Sequence, residues 1–575
     1  MAVPDRSSLT SLSGDLATRF WPAALAAAIC IAIVGPWLWP GYVFATDFSG
    51  PRHFSFPTAP TSFAPLQVAL ALLGSIFEGS TVGKMLIIAI LFSAAFFAYQ
   101  AAPTIGFVPR AAASLVYTFN PFVYDRISYG QLTVLAGYSL LPLVALSVRR
   151  LLLRPNAAWA GATAASLAAV ASVDIHFVVI SALLFASLGA AHAFARIPRQ
   201  AYIFDLSRNV ALTVVLFAVL QAYWIIPTLR GESVEAHTLS RITDADLAAF
   251  GSASDSHLGL LLNIVGLYGF WAERTDRYVS LKDFVPQWPL ILAFMLLVCS
   301  IGIVVGVRAP GATGPNRVRA LVIGLALAAA ASTVLAIGIS EPHTARLVRW
   351  IDSVAPAYRG MRDASKWIAV IALFYSQTTA LGVAALLEEC NKRVLPGVAR
   401  DSLIAVVTAV ALAAPLYYGS GLLYGAHGQI RPSSYPPGWY SADHLIASDP
   451  SHPRTLFLPW HGYIALSFVH NTDQVVANPA PLFFSTNVLA SSDLEIPGIA
   501  PPAEPDQRTI SKLVASGAEG EWATILAAQD VKYVLIAREA DWMKYSYFAN
   551  LPGLELVSDY NSILLYRDAM WTGSG

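Results

Sequence analysis

The chain has 575 residues, of which 56% are hydrophobic and 13% charged, with a mean hydropathy of +0.57. Soluble domains carry about 25% charge, so most of this chain is expected in lipid rather than water. Lys+Arg 36 balance Asp+Glu 36, and no basic cluster is interleaved with aromatics, which excludes a nucleic-acid partner; the three cysteines, Cys30, Cys299 and Cys390, lie in or beside apolar segments and supply no disulfide framework or cysteine-type zinc site.

In chain order, apolar runs at about 21–39, 82–101, 111–124, 131–148, 157–173, 177–195, 209–228, 288–307, 319–340, 365–388 and 402–424 predict eleven membrane spans, within a range of nine to thirteen. The first is followed by Pro36, Trp37, Trp39 and Pro40 rather than a small-residue cleavage site, and reads as an anchor rather than a cleaved signal. With the N-terminus inside, alternate short loops carry Arg149, Arg150 and Arg154, then Arg196, Arg199 and Arg208, then Arg308, Arg317 and Arg319, then Lys392, Arg393 and Arg400. Positive residues near span ends resist translocation, so this pattern predicts an N-in, C-out arrangement. The outer face then receives loops 40–81, 230–287 and 341–364 and everything after about 425. Within the first loop, residues 62–79 are apolar but short and read as an interfacial helix roofing a cavity.

Ionisable residues at membrane depth are costly unless paired or solvated, and are functional candidates for that reason. Four groups qualify, all at the expected outer ends of spans. Asp47, in Thr46-Asp47-Phe48-Ser49, has the chemistry of a general base or a metal ligand, with a surface helix cap as the plain alternative. Asp125 and Arg126 lie in the turn Asn120–Gln131, either as cavity groups or as a self-neutralised pair. Asp174 and His176 are tightly flanked by apolar residues, which suits a role inside a cleft or equally a buried pair that ties two helices together; a metal there would need a third ligand, with Asp47 the candidate. Arg359, Arg362, Asp363 and Lys366 lie in Tyr358–Trp367, where three cations within eight residues on a translocated face suggest a bound anion. Arg359 and Arg362 at i and i+3 would share a helix face and fork onto a lipid phosphate. The plain alternative is snorkelling to ordinary headgroups.

The long loop 230–287 adds scattered carboxylates and the aromatics Tyr268, Phe270 and Trp271. Residues 425–575 read as a soluble α/β domain outside the membrane, with strands at 454–460 and 531–536, a hairpin over 554–567 and helix over 508–529. Its fifteen acids outnumber eight Lys+Arg, which does not suit an anionic membrane surface. In its Trp460-His461-Gly462-Tyr463 turn, ligand contact competes with ordinary loop packing.

The multi-span bundle, the acid just after the first span, the first outer loop with its interfacial helix and the outer C-terminal domain together resemble the GT-C superfamily of membrane glycosyltransferases. The segments 120–131 (NPFVYDRISYGQ) and 359–367 (RGMRDASKW) are similar to stretches in the membrane part of actinobacterial arabinofuranosyltransferases. The superfamily often carries paired acids after the first span, where this chain has Asp47 alone. The resemblance implies a polytopic α-helical membrane protein, 1–424, with an extracytoplasmic α/β domain, 425–575, in a bacterial or archaeal inner membrane. It implies transfer of a sugar, with inversion, from a polyprenyl-phosphate donor to a cell-envelope glycan or glycolipid acceptor. Asp47 would be catalytic. Arg359, Arg362 and Lys366 would hold the donor phosphate, and Asp125, Arg126, Asp174, His176 and Asp363 would line the cavity. A divalent cation, Mg or Mn, stays open at Asp47. Two rivals stand beside this reading: a lipid-linked glycan flippase, whose charges would be spread through the bilayer depth, and a non-catalytic scaffold of envelope assembly.

Overall fold

The computed structural model describes residues 6–195, 200–275, 277–308, 316–393, 396–496, 499 and 504–573. Arg196 and Arg199 of the expected inner loops lie outside them. Among the described residues nine helices are long and apolar enough to cross a membrane: Phe20–Leu38, Gly79–Ala101, Leu132–Leu153, His176–Phe194, Gln200–Leu229, Trp288–Arg308, Val318–Ser340, Ala364–Lys392 and Gly397–Tyr418. The other two expected spans are shorter helices, Phe107–Thr118 with 12 residues and Ala157–Ala171 with 15. At 1.5 Å per residue these reach about 18 and 22 Å, short of a hydrocarbon core about 30 Å thick.

The first of these is short because of two consecutive residues, Asn120 and Pro121. Pro121 disfavours helical backbone at Asn120, and Asn120 instead caps a new helix, Pro121–Tyr129, by accepting from the Val123 N–H at 3.2 Å. That second helix stops at Gly130, which takes the left-handed conformation at φ 86°. The chain therefore makes two half-length pieces where one span was expected, and Asp125 and Arg126 lie on the second piece.

The helix Ile368–Lys392 forms the centre of the bundle, buried almost continuously from Ile368 to Val383. Glycines let its neighbour approach to backbone contact. A Cβ on Gly302 would lie 1.9 Å from the Thr378 carbonyl oxygen, and one on Gly382 2.1 Å from that of Val298, the small-residue packing that drives helix association in lipid.

The C-terminal region carries seven strands: β1 Arg454–Leu458, β2 Tyr463–Ala465, β3 Val475–Ala477, β4 Val488–Leu489, β5 Val531–Ala537, β6 Leu554–Asp559 and β7 Ile563–Asp568. Five form one mixed sheet in the order β4-β1-β5-β7-β6, with β1 parallel to β4 and β5 and the β6–β7 hairpin antiparallel. Residues 508–529 divide at Gly517–Glu521 into the helices Pro505–Ser516 and Trp522–Ala528. Both central strands read as continuous apolar runs because both sheet faces are covered. Leu456, Leu458, Val534 and Ile536 face the core with Trp522, while Phe457 and Leu535 face the core with Tyr435 and Trp439. Tyr42 and Phe44, from the loop after the first span, belong to that second core, and the Trp37 indole donates to the Ile430 carbonyl at 2.9 Å. The C-terminal region is thus anchored on the segment that carries Asp47.

Candidate active site

Asp47 lies in a tight turn closed by paired backbone bonds between Ala45 and Phe48, each 2.9 Å. Two further backbone bonds fix it from opposite directions: Asp47 N–H donates to the Tyr129 carbonyl, and Ala477 N–H of β3 donates to the Thr46 carbonyl, both at 2.7 Å. The half-buried carboxylate is likewise shared. Its Oδ1 accepts from the Tyr463 hydroxyl of β2 at 2.8 Å and its Oδ2 from the Gln131 amide at 3.1 Å. Burial pushes the Asp47 carboxyl above its ordinary range, opposed by the hydrogen bonds from Tyr463 and Gln131 and by the Arg126 charge.

Gln131 passes the connection inward by accepting from Arg126 Nη1. Arg126, only 1% exposed, pairs with Asp363 at 3.1 Å and donates from Nη2 to Ser365 Oγ at 2.5 Å, and its guanidinium lies over the Phe270 ring at 4.3 Å. Ser365 donates in turn to Asp363 at 2.6 Å. Next along the chain, Lys366 Nζ lies 3.0 Å from His176 Nδ1, itself 2.6 Å from Asp174 Oδ1. A single ring nitrogen serves one of these partners at a time, accepting from Lys366 or donating to Asp174. The Lys366 N–H donates to the Asp363 carbonyl at 3.3 Å, so groups separated by up to several hundred residues in sequence form one chain of side-chain and backbone contacts.

Several expected placements are corrected. Asp125 does not share Arg126's surroundings: it accepts from the Tyr278 hydroxyl beside Glu273 and Lys282. Arg359 and Arg362 do turn to one side, toward the segment 242–246, but what they meet there belongs to the chain itself: Arg359 donates to the Ile242 carbonyl at 3.2 Å and Arg362 reaches Asp246. Their charges are also engaged. Arg359 pairs with Asp352 at 2.7 Å, and Arg362 pairs with Asp246 at 3.1 Å while lying over the Phe250 ring at 4.5 Å. Two of the three cations in this stretch are thus neutralised by acids of the chain itself. Asp47 does not join Asp174 and His176 as a third ligand. Both Asp47 oxygens accept from N–H or O–H donors, and the nearby Asp363 is occupied by Arg126, so this donor set does not fit a divalent cation.

Sequence reasoning missed Tyr463 and Gln131 as partners of Asp47, although both lie in stretches it singled out, the WHGY turn and the end of NPFVYDRISYGQ. It also missed Arg277 in the long loop. This half-buried guanidinium lies 5.8 Å from the Tyr463 ring centroid and has no ion pair among the described residues.

Gly130 is where the bundle touches the Asp47 turn. A Cβ there would lie 2.7 Å from the Phe48 nitrogen, at a left-handed backbone position that costs other residues about 1–2 kcal/mol. Gly106 has a similar φ, 99°, but its Cβ would meet only Pro109 at 3.9 Å. Gly130→Ala is therefore expected to lower thermal stability in detergent more than Gly106→Ala, and to depress activity by shifting Asp47; equal effects would show that the turn yields freely.

Comparison with known proteins follows from this geometry. No protein-family model and no curated protein sequence matches the chain. Among solved structures, the mycobacterial arabinofuranosyltransferase AftD aligns over 97% of this chain with a TM-score of 0.58 at 16% identity. The chain has the GT-C fold. Two structures of an AftD mutant align over the same share with TM-scores of 0.55 and 0.52, at 14% identity. The chain spans about two fifths of the AftD chain, 40% in the first alignment. ArnT from Cupriavidus metallidurans aligns over 99% of both chains at 12% identity, but its TM-score of 0.31 is too low to add to the comparison.

Proposed function

We propose that this protein is a membrane glycosyltransferase that moves a sugar from a polyprenyl-phosphate donor to a cell-envelope glycan or glycolipid acceptor, on the extracytoplasmic face and with inversion. The observation that carries the reading is the placement of Asp47, a lone carboxylate held jointly by the helical bundle and the outer domain through Gln131 and Tyr463. The fold shared with an arabinofuranosyltransferase supports the same reaction class.

In this reading Asp47 accepts the proton of the acceptor hydroxyl as that oxygen attacks the anomeric carbon. The bond from that carbon to the phosphate oxygen breaks on the opposite side, and the electron pair leaves with the polyprenyl phosphate. Tyr463 and Gln131 fix the carboxylate's direction. Arg277 beside Tyr463, and Lys366 at the far end of the polar chain, supply positive charge for the departing phosphate, the larger share of the rate in such a step. Arg359 and Arg362 order the loops around the site through their own acids. The basic short loops at the opposite span ends support the outward-facing placement.

Native mass spectrometry of the purified full chain tests the donor. A co-purifying polyprenyl phosphate or its glycosylated form is expected with wild type and lost with Arg277→Ser or Lys366→Met. Bulk phospholipid alone, equal in all three proteins, would refute a donor site here.

A further inference from the structure

A cavity of about 660 Å³ opens between the first outer loop, the end of the short apolar helix Ala64–Gly74 and the C-terminal domain, with walls that include Tyr42, Arg52, His53, Glu78, Ser434 and Tyr440. That volume lies within the roughly 300–1,000 Å³ of ligand clefts. Asp47, Gln131 and Tyr463 are not among its walls. We infer that it is a second binding site, for an uncharged glycan, which holds an acceptor chain away from the reacting centre.

The chemistry of the walls selects this ligand. Arg52 is the one guanidinium in the wall, and it is committed: it pairs with Asp443 at 2.7 Å and lies 4.9 Å from the ring centroids of both Tyr440 and Phe483. Burial, followed by the Arg52 charge, holds the His53 imidazole below its ordinary range, so near neutral pH it presents uncharged nitrogens. Glu78 lines the cavity with no ion pair among the described residues. The free carboxylate repels an anion such as a phosphate, and neither the committed guanidinium nor the neutral imidazole offers a free positive charge to offset it. The same groups, with the hydroxyls of Ser434 and the two tyrosines, offer donors and acceptors to a polyol, and Tyr rings give an apolar face to sugar C–H groups.

The location adds a constraint. Ile76 at the cavity edge and Trp39 at the end of the first span are each 73% exposed, an apolar rim suited to the membrane boundary. A glycan held there would belong to an acceptor anchored in, or lying close to, the bilayer. The cavity and the Asp47 turn share one stretch of chain, 42–53, so a ligand seated in the cavity lies against the segment that positions the carboxylate.

The inference rests on the glycosyltransferase reading for its ligand class, and binding separates the two. Saturation-transfer NMR on the full chain in nanodiscs, with neutral four-residue oligosaccharides of arabinose, mannose and glucose as probes, is expected to show saturable binding of at least one. Glu78→Gln and Ser434→Trp, both at exposed wall positions, are expected to weaken it at least tenfold, and Asp47→Asn to leave it unchanged. Absence of saturable binding, binding unaffected by both wall variants, or displacement of the sugar by inorganic phosphate would overturn the inference. A protein that binds here and transfers nothing would instead refute the glycosyltransferase reading alone, and transfer without binding here would refute only the second site.

Discussion

Asp47→Asn is expected to reduce glycosyl transfer by about 10²- to 10⁴-fold, the span of a positioned acid–base group, while thermal unfolding stays close to wild type. The amide still accepts from Tyr463 through its oxygen, so the turn survives, but it takes no proton from an acceptor hydroxyl. Retained activity would remove Asp47 from the chemistry. The pH profile carries a sharper test, because the direction of the Asp47 shift is set by the structure. The reaction needs the ionised carboxylate, and burial raises its pKa, so activity should fall on acidification at a pH above the ordinary carboxylate value of about 4. Tyr463→Phe removes a hydrogen bond that favours the ionised form. The folded pKa then rises further, and the acid limb of the rate profile should move to higher pH. A limb that stays put, or moves down, would show that Tyr463 does not tune this group.

The helical bundle and the C-terminal sheet were largely legible in the sequence, for reasons tied to particular residues. Long apolar helices announce themselves because lipid favours apolar residues over a whole span, and β1 and β5 read as unbroken runs such as Leu456-Phe457-Leu458 because both their faces are covered. The half-length helix ending at Thr118 was less visible: its apolar content continues through Phe119 and Phe122, and only Asn120-Pro121 marks the break.

Within the candidate site, charge at the span ends located the groups but not their pairing. Asp125 and Arg126 are sequence neighbours on a helix, yet adjacent helical positions point about 100° apart, so one meets Tyr278 and the other Asp363. Arg359 and Arg362 looked available because Asp352 and Asp246, which neutralise them, are partners fixed by loop packing rather than by a motif. Tyr463 reaches Asp47 across more than four hundred residues. Its contact follows from Tyr42 and Phe44 entering the core of the C-terminal sheet, a tertiary fact with no local signature.

Arg126 is the residue on which this arrangement depends most for stability. It is buried, and three groups compete for its donors: Gln131, Asp363 and Ser365. Removing one partner of a buried ion pair leaves the other charge uncompensated in low dielectric, at a cost of about 3–5 kcal/mol, whereas replacing both with apolar groups is often nearly neutral. Arg126→Leu should therefore unfold at markedly lower temperature in detergent than wild type, and Arg126→Leu with Asp363→Leu should recover most of that loss. Equal destabilisation of the single and double variants would mean that the pair is not what Arg126 stabilises. Function should not follow stability. In the double variant the Gln131 carbonyl has lost the guanidinium that fixes which way its amide faces, so Gln131 is free to turn its N–H away from Asp47. Transfer should stay depressed in a protein that folds well, separating the orientation of the carboxylate from the integrity of the fold that carries it.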